Sequence, residues 1–407
     1  MSDQRPEVVV FGVGGAGVNA VSRLMDVGLR GVRFVAADTS RQTLERAPGA
    51  RCIALDGSGP GTGLGAGGDL RYGSNAARRA WRRLREAMDG ADIVFVVAGL
   101  AGGTGGGAGP EVARIARSTG ALTLGFGIEP FGFECADRID AAEAARRALA
   151  DACDSYIRVD NRRTTELAGD ALSLDVALRV ADDVVRQAVQ GLTELVSDCG
   201  WINVDLATVR MQLRDAGEGC LALGIGRGKE PVRAAVAAAL SSPLADMSGI
   251  EHAQSVLVQI TGGPGLQIAD TAEAADDLRS RLDRDCRMVV GVACDPMLAD
   301  AVQVTILGAG IERAPDSLRR AAVRAASRMA QDAARAAADL EAERVAAQEA
   351  ARLRAERRRI AASRGFRFNT TAPAAREVPV RAAAGVLACL NIDFDMLEPE
   401  PMIAQAV

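Results

Sequence analysis

The sequence predicts an α/β fold: a doubly wound, mostly parallel sheet, a long connecting helix and a second α/β domain. Three observations carry this. Continuous apolar runs such as EVVVFG at 7–12, IVFVVA at 93–98 and ALTLGFG at 121–127 alternate with helix-period segments, the pattern of parallel strands covered on both faces. Glycine loops follow the first and third of the expected strands, where a strand turns into a helix. Val176, Val180, Val184, Ala188, Leu192 and Leu195 recur at steps of three and four, which marks one long helix over roughly 171–197.

In chain order, strands are expected at 7–12, 33–37, 93–98, 121–127 and 155–159. Helices are expected from the first glycine loop to about residue 28, and near 73–89, 108–118 and 139–152. The tract from 200 to 312 has its own pattern: a helix at 231–240, strands at 254–260, 287–294 and 301–308, and a helix near 271–282. Residues 316–364 contain no Gly or Pro and hold twelve Arg against seven Asp and Glu, which favours a solvated helix or helical linker. The last forty residues mix Pro, Ala and acidic-apolar pieces. They are expected to be disordered, with a short docking motif near Leu390–Leu397 (LNIDFDMLEPEP). The expected domains are 1–170 for nucleotide binding, 171–199 for the connecting helix, 200–312 for activation and assembly, 313–364 for the linker and 365–407 for the tail.

Composition excludes several functions. The 407 residues carry a net charge of −5, against nucleic-acid binding by bulk electrostatics. No run of about 18 apolar residues exists, so no membrane insertion is expected. The start, MSDQRPEVVV, does not read as a signal peptide, so a cytoplasmic location is expected. The eight Cys form no CxxC pair, so neither a disulfide scaffold nor a zinc site is indicated. Lys229 is the only lysine and lacks the flanking Ser or Thr of a P-loop. His252 is the only histidine, which removes Ser-His-Asp chemistry and suits a polar residue in the loop before a strand.

The glycines point to a ligand. Gly12, Gly14 and Gly17 form G-x-G-x-x-G after the first strand, and Asp38 ends the second. That meets a dinucleotide fingerprint, and equally suits a tight structural turn. IVFVVA then runs into GLAGGTGGGAGP at 99–110, with seven glycines in twelve residues, and GPGTGLGAGGD lies at 59–69. Glycine lets backbone N–H groups turn together toward an anion, and a helix N-terminus adds its positive end. Three such loops suggest a polyphosphate cradled by backbone, which fits the missing P-loop lysine.

These residues closely resemble the tubulin superfamily, specifically the bacterial cell-division GTPase family FtsZ, over about 7–312. The matching strings are FGVGGAGVNAV at 11–21, AGGTGGGAGP at 101–110, PFGFECADR at 130–138, DNRR at 160–163, AVQGLTELV at 188–196 and GWINVDLATVR at 200–210. The resemblance implies that Gly14, Gly15, Ala16, Gly17, Val18 and Asn19 wrap the α- and β-phosphates of GTP or GDP. Ala66 and Gly67 would lie near the γ-phosphate, and Gly102, Gly103, Thr104, Gly105 and Gly106 would hold the phosphates from the other side. Glu134 would meet the ribose, and Arg138, Asn161 and Asp183 would frame the guanine. Mg²⁺ would neutralise the phosphates. Asp205, with Asn203 shaping its loop, would polarise water on a neighbouring subunit's GTP, so the protein would assemble head to tail into filaments. Read without the family, Asp183 is a solvated helix position and Asp205 an N-cap.

The chain also departs from the family pattern. Thr208 stands where FtsZ usually has a second carboxylate, Gly106 replaces a usual Thr, Ser or Ala, and Leu178 falls where a Phe often meets the base. The tail does not clearly match the family's short C-terminal peptide. The resemblance thus implies an FtsZ-like filament protein with slow hydrolysis, in bacterial cell division or a related cytoskeletal process. Its partners would be itself, a second FtsZ, and division or scaffold proteins through the tail. Two alternatives stand: a non-hydrolysing FtsZ-like scaffold or regulator, and an NAD-dependent oxidoreductase resting on G-x-G-x-x-G and Asp38.

Overall fold

The computed structural model describes residues 6–29, 31–56, 63–161, 174–196, 200–242, 247 and 249–311, without the side chains of 174–181. The expected linker at 313–364 and tail at 365–407 lie outside the described residues. So do 57–62, which include the start of the third glycine loop, Arg162 and Arg163 of DNRR, and the side chain of Leu178.

One eleven-stranded sheet runs through the described body in the order β3-β2-β1-β4-β5-β6-β8-β11-β9-β10-β7. Its N-terminal part is β1 (Val8–Val13), β2 (Val32–Asp38), β3 (Arg51–Ala54), β4 (Ile93–Gly99), β5 (Leu122–Ile128) and β6 (Ser155–Val159), all parallel to their neighbours. Side chains alternate across it. Val8 and Val10 of β1 join one core, while Val9, Phe11 and Val13 join the other. The first core is covered by α1 (Gly14–Asp26) and the long helix α7 (Leu174–Val196). The second is covered by α3 (Leu70–Arg79), α4 (Trp81–Ala87), α5 (Gly103–Ser118) and α6 (Ala136–Ala152). A four-residue helix, α2 (Arg41–Leu44), follows β2.

The C-terminal part is β7 (Gly200–Ile202), α8 (Leu206–Leu213), β8 (Gly217–Gly226), α9 (Pro231–Leu240), β9 (Ser255–Gly262), α10 (Ile268–Ser280), β10 (Arg287–Cys294) and β11 (Val302–Ala309). β8 joins the halves by pairing in parallel with β6 (Ser155–Gly217, Tyr156–Glu218, Ile157–Gly219) and antiparallel with β11. One face of this half packs on α9 and α10 through Val232, Val236, Ala274 and Leu278. On the other, Leu221, Leu257 and Leu307 share a core with Val185, Val189 and Leu192 of α7, so one helix braces both halves. No described helix is long and apolar enough to cross a membrane.

The expected elements form, with informative differences. The expected helix at 73–89 is two helices, broken at Ala80 (φ −88°, ψ 5°). The first begins at Leu70, because the Asp69 carboxylate caps it by accepting from the backbone N–H groups of Arg71 and Tyr72 at 2.8 and 3.2 Å. The helix expected from 108 starts at Gly103, inside the glycine loop. Here packing overrides glycine's poor helix propensity: a Cβ on Gly105 would lie 2.2 Å from the Gly99 carbonyl oxygen, so only glycine fits that turn against β4.

β8 (GEGCLALGIG) falls outside the expected strands, since its four glycines read as turn signals. Gly217 does have the left-handed backbone of a turn (φ +75°), but Gly219, Gly224 and Gly226 serve packing instead. A Cβ on Gly224 would stand 2.0 Å from the carbonyl oxygen of Ala235, because α9 lies directly on the strand. Gly224→Ala is therefore expected to lower stability by roughly 1–3 kcal/mol through overpacking. Thermal denaturation checks this; an unchanged midpoint would mean that α9 gives way without cost.

Candidate functional site

A cavity of about 470 Å³ opens at the carboxyl ends of the N-terminal strands, within the usual size range of ligand sites. Its position follows from strand order. The strand order reverses between β1 and β4, and the helices that follow those two strands cover opposite faces, which leaves a crevice at that switch point.

Gly15 and Ala16 after β1, and Gly99 and Ala101 to Gly105 at the end of β4, line the crevice, with Gly65 and Ala66 on a third side. The three loops meet backbone to backbone. Gly14 has φ +74°, and a Cβ there would lie 2.6 Å from the Gly105 nitrogen; one on Gly103 would lie 2.6 Å from the Asp69 nitrogen. Both α1 and α5 begin at this cavity with no side-chain cap and no acid in the first turn. Two sets of first-turn N–H groups thus face one crevice, which suits it to an anion held by backbone donors.

Beneath the loops lies a buried polar floor. The hydroxyls of Thr39 and Thr104 are 2.6 Å apart. Asp38 is 3% exposed, and burial pushes its carboxyl above the usual range, against hydrogen bonds from Ser40, Thr39 and Thr104 that pull it down. Glu129, at the end of β5, is held by Arg158, Nε to Oε1 at 2.5 Å. At the far side Glu134 accepts from the Phe131 nitrogen at 2.9 Å and pairs with Arg138 at 3.0 Å. Asn161, 4% exposed, closes this end just after β6.

Of the residues expected from sequence, the cavity gathers Gly15, Ala16, Ala66, Gly102, Gly103, Thr104, Gly105, Glu134, Arg138 and Asn161 along its walls. Gly14 holds the loops together behind them. Gly17 lies under the Val97 carbonyl oxygen, which a Cβ would approach to 2.3 Å. The Val18 side chain is buried with Ala36, Leu44 and Ala47, and Asn19 is half-buried. Gly67 continues the third loop at φ +56°, while Gly106 packs under the Leu100 carbonyl. Asp183 is outside the lining; its carboxylate accepts from Arg186 Nε at 2.5 Å and Gln187 Nε2 at 2.6 Å on its own helix. Sequence reasoning missed Ser40, Thr43, Glu129 and Phe131 as lining residues. Their signal was position alone, at or just past the carboxyl ends of β2 and β5.

Asp205 and Asn203 lie elsewhere. Both are exposed, and Asp205 caps α8 by accepting from the Thr208 nitrogen at 2.6 Å. Hydrogen bonds from the Thr208 hydroxyl and backbone hold the Asp205 carboxyl below its ordinary value. α8 is tied to the amino end of β4, where Arg210 Nη2 donates to the Asp92 carbonyl and carboxylate, each at 3.0 Å. The cavity is at the other end of that strand. Seven residues at the strand rise separate the two by about 20 Å.

With this geometry the chain matches two family models: the Tubulin/FtsZ family GTPase domain over residues 7–169, and the FtsZ family C-terminal domain over 217–312. An empty FtsZ dimer from M. jannaschii is 33% identical, with a TM-score of 0.69 over 75% of this chain and 89% of that one. A tryptophan-to-tyrosine point mutant of M. jannaschii FtsZ gives 33% and 0.69 over 75% and 92%. A CetZ2 protofilament from Haloferax volcanii with GTPγS bound shares the fold at 22% identity, with a TM-score of 0.66 over 81% and 99%. The oxidoreductase reading has no counterpart among these matches. The chain belongs to the tubulin/FtsZ family and carries its GTPase domain followed by an FtsZ-type C-terminal domain.

Proposed function

We propose that this protein binds GTP and GDP in the crevice and assembles head to tail into filaments. Each subunit's Asp205 loop would complete hydrolysis on its neighbour's nucleotide. One observation carries the reading: the crevice and the Asp205 loop lie at opposite ends of β4. A loop about 20 Å from its own cavity cannot act there, but a second copy stacked along the strand direction brings loop and cavity together. Such a contact joins two different surfaces and repeats without closing.

The roles follow. The α1 and α5 N-termini hold the phosphates. Glu134 meets the ribose, Arg138 and Asn161 frame the guanine from the cavity wall, and Asp183 would join them by releasing Arg186 and Gln187. Asp205, kept ionised by Thr208, orients the attacking water. Mg²⁺ would offset the phosphate charge, since the glycine loops around the crevice carry no lysine. Thr208 supplies no second carboxylate, so turnover is expected to be slow. The same residue favours a second reading, a non-hydrolysing scaffold or regulator that co-assembles with another FtsZ. A cytoplasmic place in bacterial division or a related cytoskeletal process, with division or scaffold proteins recruited by the tail, completes the proposal.

The test is GTP turnover and pelleting across protein concentration. Specific activity should rise with concentration as filaments form; a rate per subunit independent of concentration would refute a shared site. GTP and GDP should also bind far better than ATP, and Asp183→Ala should weaken GTP by about 1.5–3 kcal/mol, the scale of a hydrogen bond to a charged group. Calorimetric titration reads both, and equal affinity for ATP and GTP would overturn the assignment of the guanine readers.

A further inference from the structure

A second groove, of about 430 Å³, lies between α3, α5 and α6 on the flank of the GTPase domain. Its floor is small and apolar, with Gly106, Gly107 and Pro110 of α5 facing Ala145 and Ala148 of α6. Its rim is basic. Arg78 and Arg114 both reach the Glu111 carboxylate, at 2.8 and 3.0 Å, so two guanidinium groups share one acid. Arg71 is exposed on the rim and has no ion pair among the described residues.

The charge extends past the rim. Residues 70–85 hold six Arg and no acid, in a chain whose net charge is −5. Arg79, Arg82, Arg83 and Arg85 are exposed, again without ion pairs among the described residues. Several arginines elsewhere in the body face carboxylates, as in Arg51–Glu86, Arg117–Asp154, Arg158–Glu129 and Arg210–Asp92. Tyr72 and Trp81 add exposed aromatic surface to the same two helices. Unpaired arginine beside exposed aromatic rings is the composition of a binding surface.

The occupant is in the sequence. Residues 389–407 contain Asp393, Asp395, Glu398 and Glu400 and no basic residue. From 390 to 396 apolar residues alternate with polar ones: Leu390, Ile392, Phe394 and Met396 against Asn391, Asp393 and Asp395. In an extended peptide this period puts apolar side chains on one side and carboxylates on the other. The apolar side suits the Gly/Ala/Pro floor and the carboxylates suit the arginine rim, where guanidinium and carboxylate can pair in a bidentate manner. The segment is separated from Ile311 by 78 residues, a length of chain that could span far more than the width of a domain if extended.

We propose that this groove is the docking site for the acidic-apolar tail segment Leu390–Glu400 of the same polypeptide. The test uses the full-length chain with its own tail neutralised (Asp393→Asn, Asp395→Asn, Glu398→Gln, Glu400→Gln) and a fluorescein-labelled synthetic peptide of residues 389–401, followed by anisotropy. Saturable binding is expected, weaker at high salt, and weaker still to the wild-type chain, whose own tail competes. Within the neutral-tail chain, Arg71→Glu should cut peptide affinity at least tenfold. Asn75→Glu, which adds a like charge to the groove at an exposed position, should do the same. Thermal midpoints matching the parent would show that both variants fold. Absent peptide binding, or binding indifferent to both substitutions, would overturn the proposal. Phosphatidylglycerol vesicles that sediment the protein and release the Arg71→Glu variant, with no peptide binding, would overturn it in favour of an anionic membrane.

Discussion

Asp205→Asn is expected to stop GTP turnover, by about 10²–10⁴-fold, while GTP binding and filament assembly persist. That range is the usual worth of a positioned acid–base group. Asparagine is the informative replacement because the carboxylate has two tasks. It caps α8 through the Thr208 nitrogen, and it would face a neighbour's nucleotide. Asn caps a helix about as well as Asp, so Asp205→Asn keeps the local structure and removes the charge. Asp205→Ala removes both and should also lower the thermal midpoint. The carboxyl sits below its ordinary value, so the cap's contribution is present above the unfolded pKa and is lost as pH falls through the lower folded one. A mixing experiment isolates the shared site. A variant unable to bind GTP still offers an intact loop, and Asp205→Asn still offers a loaded cavity. Each alone should be inactive, and the mixture should regain part of the activity. Thr208→Asp should raise turnover by restoring a second acid. No gain from Thr208→Asp in chains that still polymerise would move the protein toward the scaffold reading.

The second large effect is a contrast between adjacent glycines. Gly14→Ala is expected to cost about 2–5 kcal/mol of stability, from left-handed backbone and overpacking together, and to abolish nucleotide binding. Its φ is +74°, and the new methyl would press on the Gly105 nitrogen, separating the loops that form the cradle. At Gly15 the backbone is not left-handed and nothing lies within 4 Å of an added Cβ. Gly15→Ala should therefore leave the melting temperature nearly unchanged and weaken GDP by filling space at the cavity wall. Melting curves and calorimetric titration separate the cases. If Gly15→Ala binds GDP like the parent, the α1 N-terminus does not hold the phosphates.

The N-terminal part of the fold was legible because β1, β4 and β5 are buried on both faces and read as unbroken apolar runs. β8 was not legible. Gly224 and Gly226 admit α9, and a sequence window cannot tell a glycine that admits a helix from one that makes a turn. β3 and β7 are short edge strands with little apolar pattern of their own. The two glycine loops that begin helices were readable as a ligand cradle, since so many adjacent glycines exceed what a turn needs. Ser40, Thr43, Glu129 and Phe131 were not. They line the cavity only because β2 and β5 flank the β1–β4 pair, and strand order is a long-range fact. The same holds for Asp205: its motif was visible, but the about 20 Å between its loop and the cavity follows from Arg210 meeting Asp92.

The union of β6 and β8 has a mechanical consequence. Three residue pairs join the strands there, against eight between β8 and β11. A twist applied to one half of the body concentrates at this narrow seam, as torsion does at the waist of a plate. α7 spans the seam as a stiff spar, sharing one core with β4 and β5 on one side and with β8, β9 and β11 on the other. A twist between the halves would therefore load α7, whose packing on both sides ties them together.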